Sequence, residues 1–292
     1  RPREDPKMSN SGRTAVVLMA YGTPRTKDEI LPYYTDIRRG RPPTPELLEE
    51  LTARYEAIGG LSPLAALTEA QRDTLQAELD LLAPGRFSVS LGLKHAHPMI
   101  EEAVEAIAQQ SPESIIGLVL APHFSSYSIG QYIDRTRAAA EPHGIAVTGI
   151  DSWAVEDAFV DFLVDDIRTR LAAMPAKTRV LFTAHSLPQR IIDAGDPYPD
   201  QLRATATAVA SKLGLREGDD WSIAWQSAGR TPEPWIGPDI LEVIDELATN
   251  PETASGVLVC ACGFVADHLE VLFDIDIEAA AVAADVGLNL VR

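Results

Sequence analysis

Short apolar runs alternate with helical patterns along nearly the whole chain, and this alternation restricts the fold more than any other feature. Thr14–Ala20 reads as a β-type run that stops at Tyr21-Gly22-Thr23-Pro24. A charged helical pattern follows over 27–38, and Thr44 is placed to cap a helix over Pro45–Ala57. After the turn-rich segment 59–63, Thr68 is placed to cap a helix running to Leu82. Segments 87–93, 114–120 and 145–150 then read as strands, separated by helical patterns over 99–109 and 129–140. The logic repeats: helix 156–172, strand 178–183, helix 200–213, strand 222–226, helix 238–247 and strand 257–259. Strands separated by such helices predict parallel sheets covered on both faces. The two halves are similar in size. The expected architecture is therefore α/β, with two Rossmann-like domains over 14–150 and 151–292, each a parallel sheet flanked by helices, and a cleft between them.

Composition narrows the class. Of 292 residues, 46% are hydrophobic and 23% charged, ordinary values for a globular chain. No apolar run reaches the roughly 18 residues that a membrane-spanning helix needs, so no integral membrane association is expected. Residues 1–13 are polar and lack the apolar core of a secretory signal; they read as a disordered or leftover upstream extension, with Met8 a candidate start. Cys260 and Cys262 are the only cysteines and cannot build a disulfide framework, which points to a reducing compartment, the cytoplasm. They alternate along a strand as small hydrophobes. The formal charge of −18 disfavours nucleic acid and anionic membranes as partners. An anionic ligand would need a local basic patch, and the densest is Arg38-Arg39-Gly40-Arg41, with Arg54 close behind.

In open parallel sheets the functional loops lie beyond the C-terminal ends of the strands. That rule selects Tyr21, the loop at His95, the loop from His123 to Tyr132, and Ala184-His185-Ser186-Leu187-Pro188. No G-x-G-x-x-G or Walker lysine motif accompanies them, and Ser186 lies outside any G-x-S-x-G elbow. His185 directly follows a buried run, as a cleft residue or as a histidine that ties down a loop. His95 and His97 would point the same way along an extended segment, as metal ligands or as structural groups. His143, in a Pro-His-Gly turn, reads as a surface residue. Trp225 and Trp235 bracket a turn-rich loop, where they cap a core or form a wall for a flat ligand.

The segment after strand 257–259 is broken by Gly263 and then turns helical. On a helical wheel Val265, Leu269, Leu272 and Phe273 share one face, and Glu270, Asp274 and Glu278 share the other at i, i+4, i+8. Like charges at that spacing cost an isolated helix about 0.2–0.5 kcal/mol per pair. The row is either a solvated acidic face or a set of carboxylates kept for chemistry. His268, two residues before Glu270, is expected to point away from it, so any histidine partner of Glu270 must come from elsewhere.

The motifs MAYGTP (19–24), YYTDIRRGR (33–41), RYEAIGGLSPL (54–64), GLKH (92–95), LAPHFSSYS (120–128), AHSLP (184–188), GDPYPDQL (195–202), WQSAGRTPEPWIGPD (225–239) and GFVADHLEVLFD (263–274) resemble the ferrochelatase family. The tyrosine of MAYGTP and the RRGR segment look like the bacterial type that acts on coproporphyrin. The resemblance implies a porphyrin cleft between the two domains and insertion of Fe2+ into coproporphyrin III, with release of two protons. It implies that His185 and Glu270 are the catalytic, metal-binding pair, and that Tyr21 lies on the opposite porphyrin face as an axial ligand in the product. Arg38, Arg54, Tyr55, Ser62 and Tyr132 match substrate-contact positions, and His95 lies in a further motif at the pocket. Asp274 and Glu278 continue the carboxylate row as a relay for metal or protons.

Elementary chemistry agrees with these roles. Fe2+ suits imidazole with carboxylate, and the leaving pyrrole protons need acceptors. Four propionates on the porphyrin would account for arginines in an acidic chain. Some relatives carry a 2Fe–2S cluster on four cysteines. Here the SSYSIGQY loop lacks the corresponding cysteine, so no cluster and no permanently bound cofactor are expected, and Fe2+ is a substrate. Relatives also continue past the position of Arg292 into a further helix, so the chain is expected to be partial. A monomer is expected. The competing reading is a non-catalytic porphyrin or haem carrier using Tyr21 as axial ligand, which would not need the carboxylate row. A metal-delivery protein would not need the arginines.

Overall fold

The computed structural model describes residues 12–249 and 254–292. The extension expected over residues 1–13 lies outside the described residues except at Gly12 and Arg13. The first half runs β1 (Thr14–Ala20), a short 3-10 turn, α1 (Ile30–Ile37), α2 (Pro45–Ala57), α3 (Leu64–Leu82) and β2 (Phe87–Leu93). It continues through α4 (Ile100–Ala108), β3 (Ser114–Val119), α5 (Ile129–Ala140) and β4 (Ala146–Ile150). The second half runs α6 (Asp157–Leu171), β5 (Thr178–His185), α7 (Gln189–Asp193), α8 (Tyr198–Leu213), β6 (Trp221–Gln226), α9 (Ile240–Ala248) and β7 (Gly256–Cys260). It closes with α10 (Leu269–Phe273), a π-helical stretch (Asp274–Ala279), α11 (Ala280–Asp285) and β8 (Asn289–Val291).

Two four-stranded sheets result, in the orders β2-β1-β3-β4 and β6-β5-β7-β8. Every pairing in them is parallel. The expected α/β architecture is the one observed. Each half has the same internal order, in which its first strand is interior and successive crossovers leave it in opposite directions. That is a topological switch point, where open sheets leave a crevice. The first strands are buried on both faces, which accounts for their near-continuous apolar runs: Ala15–Ala20 in β1 and Val180–Ala184 in β5.

The halves are joined through several contacts. Ile30 and Tyr55 of the first half bury Leu269 of α10, with Leu48, Leu51 and Phe273 packed around them. The loop after β3 lies on α8: the Phe124 amide donates to Gln201 (2.7 Å), and the Ser126 amide and hydroxyl donate to Asp196 (2.8 and 2.7 Å). His123, in the same loop, is buried. The Thr205 hydroxyl donates to the Ala154 carbonyl, so it accepts from His123 Nε2 (2.8 Å). Burial lowers the His123 imidazole to about 4, so it is neutral at neutral pH.

Three local expectations are corrected. Thr68 lies inside α3, its hydroxyl donating back to the Leu64 carbonyl (2.7 Å), and Ser62 Oγ accepts from the Leu64 amide at the true helix start. Strand β8 was not foreseen, being a three-residue edge strand too short to show a period. The helix after β7 is also not one regular helix. Val265 precedes it, and the π-helical stretch resets its register from Asp274 onward. Its inward residues are Val271, Ile275 and Ala279, packed with Val257 and Val259.

Candidate active site

His185 is the last residue of β5, at the switch point of the second sheet. Gly263 passes so close behind it that a Cβ there would lie 2.4 Å from Ala184 Cβ, and only glycine fits. The imidazole is oriented by its backbone: Nδ1 donates to the Ser186 carbonyl (2.5 Å). The His185 carbonyl accepts from the Tyr198 hydroxyl (3.1 Å). Nε2 is thereby turned to Glu270 Oε1, at 3.5 Å. Glu270 lies in the first turn of α10. Its carbonyl accepts from Gln226 Nε2 (3.2 Å), and Gln226 is fully buried and held by the Thr183 hydroxyl (2.9 Å).

His268 belongs to this group, contrary to the expectation that it points away. It precedes α10 with an extended backbone (φ −156°, ψ −179°), so the helical wheel does not apply to it. Its Nδ1 donates to the Ala266 carbonyl (3.0 Å), and Nε2 lies 3.5 Å from Glu270 Oε2. Each oxygen of Glu270 thus faces one imidazole Nε2. No three His, Cys, Asp or Glu side chains among the described residues form a closed metal-holding group. Imidazole and carboxylate are donor types that suit a divalent transition metal.

Burial acts first on both members of the pair and disfavours their charges, but each offsets the other. Against burial, the Glu270 charge, the Ser186 carbonyl and Asp274 push the His185 imidazole up to about 9. Against burial, His185 and His268 hold the Glu270 carboxyl well below the usual range. The side chains of His185 and Glu270 keep 31% and 37% of their surface toward the cleft, where water screens the pair. On this balance His185 is an imidazolium beside a carboxylate.

Tyr21 occupies the matching place in the first half, directly after β1. The turn behind it needs Gly22, whose φ is +87° and whose Cβ would lie 2.8 Å from Ala96 Cβ. The Tyr21 ring meets His95 (centroids 4.5 Å) and Tyr33 (6.4 Å). Tyr21 keeps 42% of its surface exposed, and partial desolvation, then the Glu270 charge, holds its phenol above the ordinary value. Burial and the same charge raise Tyr132, Tyr55 and Tyr33. Tyrosines of the first half therefore lie within reach of the Glu270 charge. Tyr55 is buried beneath the turn, its hydroxyl 3.5 Å from that of Thr23. His95 Nδ1 is 2.6 Å from Asp36, and burial lowers its basicity more than Asp36 raises it. Lys94 lies over the Tyr132 ring, 5.0 Å from its centroid.

The carboxylate row runs outward from Glu270. Asp274 is buried; one of its oxygens accepts from Arg54, across the cleft, and the other from the Ser227 hydroxyl. Ser227 holds a left-handed backbone (φ +59°), uncommon for serine, which aims its hydroxyl at that carboxylate. Burial chiefly raises the Asp274 carboxyl, to about 6, against Ser227 and Arg54. Glu278 is exposed at the far end. Arg54 also lies over the Phe273 ring (4.4 Å), and Arg230 pairs with Glu50 as a second tie between the halves. Arg38, Arg39 and Arg41 enter no ion pair among the described residues, and Arg38 Nε donates to the Arg41 carbonyl (3.3 Å).

Other candidates lie outside the group. His97 pairs with Glu102 (2.8 Å) while His95 pairs with Asp36, so a bent segment sends them different ways, not the same way. His143 pairs with Glu105 (2.9 Å). Cys260 and Cys262 are both buried, but Cys262 lies past the strand, its amide closing a turn on the Cys260 carbonyl. Trp225 is a core residue against Tyr198, whereas the Trp235 ring stands 6.4 Å from His185 and forms a wall of the cleft. Sequence reasoning missed Gln226 and Ser227. Their signals were their place at the end of β6 and within the motif WQSAGRTPEPWIGPD.

Fold and site together define an α/β protein of two parallel sheets, with an imidazole–carboxylate pair at the end of β5 and a tyrosine cluster at the end of β1. The ferrochelatase family model matches residues 13–292, and the chain belongs to that family. It is 46% identical to a ferrochelatase of Herpetosiphon aurantiacus over 97% of this chain and 93% of that one. It is 43% identical to a coproporphyrin III ferrochelatase of Halalkalibacterium halodurans, covering 96% of this chain and 90% of the relative. A Bacillus subtilis protein of the same name is 42% identical, with 96% and 91% covered. Nothing in these comparisons supports the carrier reading.

Proposed function

We propose that this chain inserts Fe2+ into coproporphyrin III, giving the iron porphyrin and two protons, as a lyase of haem biosynthesis. The observation that carries the reading is the open His185–Glu270 pair at 3.5 Å in a cleft lined by tyrosines. Fe2+ meets imidazole and carboxylate there, ligands suited to it but too few to retain it. The imidazolium must lose its proton before Nε2 can bind the metal or take a pyrrole proton. Glu270, held ionised by His185 and His268, stays a carboxylate ligand rather than taking that proton. Asp274, with its carboxyl near 6, and the exposed Glu278 lead on to solvent as a relay. Tyr21 offers its oxygen to iron from the opposite porphyrin face. Arg38 and Arg54 bind propionates through charge-assisted bonds, with Tyr55, Ser62, His95 and Tyr132 lining the pocket.

Within this proposal, residues 14–150 form the porphyrin-binding unit and 151–292 the metal-binding unit. The protein acts as a cytoplasmic monomer. It needs no resident 2Fe–2S cluster, for which two cysteines are too few. No helix among the described residues is long and apolar enough to cross a membrane. The test is anaerobic iron insertion into coproporphyrin III and protoporphyrin IX, expected to favour the former. Absence of insertion into either would overturn the reading.

A further inference from the structure

Arg292 follows β8, the edge strand beside β7, and its guanidinium spans the segment that carries Glu270. Nη1 donates to Asp267 Oδ1 at 2.8 Å. Nε and Nη2 donate as a fork to the two oxygens of Asp276, at 2.8 and 2.7 Å. Asp267 immediately precedes His268, and Asp276 lies in the π-helical stretch after Asp274. One side chain thus ties together two points on either side of His268, Glu270 and Asp274. The anchor is itself held, because the Arg292 carbonyl accepts from Arg170, whose Nε donates to Asp166 on α6 (2.8 Å).

The tied segment has an unusual backbone. It is extended at His268, α-helical over Leu269–Phe273 and π-helical over Asp274–Ala279. π-helix is rare, and its register here is not set by α-helical hydrogen bonds. The carboxylates are 44% and 37% exposed, and ion pairs that wet contribute little to stability. What the fork does fix is geometry, because planar guanidinium fits carboxylate in one orientation. We propose that Arg292 is a positioning residue for iron insertion: by tying Asp267 to Asp276 it holds His268 and Glu270 at the spacing that receives the metal. The inference rests on the iron-insertion reading given above.

The test compares wild type with Arg292→Gln, Arg292→Lys, Asp267→Asn and Asp276→Asn. Three quantities are measured: anaerobic iron insertion with its KM for Fe2+, coproporphyrin III affinity by fluorescence quenching, and Co2+ binding to the porphyrin-free protein by visible absorption. Arg292→Gln is expected to lose about 10–100-fold in Co2+ affinity and in kcat/KM for iron, as partners of metal ligands do. Coproporphyrin affinity should hold, since no arginine of the porphyrin wall is touched. Lysine restores the charge but not the fork, and should recover only part of the loss. A folded Arg292→Gln protein with wild-type Co2+ affinity and wild-type KM for Fe2+ overturns the proposal. If that variant does not fold, the two aspartate variants decide on the same readouts, and wild-type Co2+ affinity in both overturns it equally. A wild type that inserts no iron, with Co2+ affinity still lost in Arg292→Gln, would reject the reaction and keep the tie.

Discussion

Arg54 on α2 and Asp274 in the π-helical stretch form an ion pair across the cleft, with the Asp274 side chain almost wholly buried. The second Asp274 oxygen is taken by Ser227, so the carboxylate is fully engaged before any substrate arrives. Arg54→Ala should therefore have two effects. Coproporphyrin affinity should fall by about 1.5–3 kcal/mol, the worth of a charge-assisted bond. Stability near pH 7.5 should also fall by about 1–3 kcal/mol, because a buried carboxylate loses its partner. Near pH 5 that second loss should shrink, since Asp274 then takes up a proton. Melting curves at the two pH values test this, and an equal penalty at both would sink it.

Asp274→Asn isolates the same group. The Asp274 carboxyl is raised from 3.8 to about 6 in the folded protein, mainly by burial. A raised carboxyl binds its proton more tightly when folded, so its contribution to stability is full below 3.8 and is lost as pH rises through about 6. The asparagine variant should lose that part of the pH slope of melting temperature. It should be as stable as wild type or more so at neutral pH, and insert iron somewhat more slowly. A wild-type slope between about pH 4 and about pH 6 would show that Asp274 does not titrate there.

Much of this was legible in the chain, for identifiable reasons. Helix Pro45–Ala57 could be read to its ends because Thr44 caps it through the Leu47 amide and proline opens it. Tyr21 and His185 could be placed because strand ends in parallel sheets are marked by where an apolar run stops. Glu270 as partner of His185 came from resemblance, since no spacing relates the end of β5 to a helix that follows β7. The π-helical stretch was illegible because its register is set by packing: Leu269 and Phe273 against α2, Ile275 and Ala279 against the sheet. His268 was misjudged for the same reason, as a wheel assumes a helix that begins one residue later.

His185→Ala should abolish insertion and leave porphyrin binding nearly intact. It should also change the pH dependence of stability. The His185 imidazole is raised from 6.5 to about 9 by Glu270, against burial. The contribution of a raised imidazole is complete below 6.5 and is lost as pH rises through about 9. Melting temperature should therefore fall less steeply over that window in the variant. Insertion at a near wild-type rate would remove His185 from the reaction.

Tyr21→Phe removes one hydroxyl and little volume. The absorption spectrum of the bound iron porphyrin should change, because the axial oxygen is gone. Turnover should change less, because the Tyr21 phenol is held protonated and is no proton acceptor. An unchanged product spectrum would exclude Tyr21 from the iron.

Glu270→Gln keeps size and hydrogen-bonding capacity but removes the charge that orders the site. Each oxygen of Glu270 now faces an imidazole Nε2 at 3.5 Å. With the charge gone, the largest influence left on His185 is burial, which lowers its basicity. The variant thus separates two roles. If Glu270 served only to keep His185 charged, the glutamine protein would bind Fe2+ at a free imidazole and insert it at a normal rate. If Glu270 is itself a metal ligand, insertion should fall to a small fraction of wild type even though its charge no longer holds a proton on Nε2. The second outcome is expected, because Fe2+ loses the carboxylate that faces His185 at the site. Coproporphyrin affinity should hold, since Arg38 and Arg54 are untouched. Melting temperature measured on the same preparation guards against misfolding, and normal insertion by a folded Glu270→Gln protein would reduce the carboxylate row to a charged face with no part in the reaction.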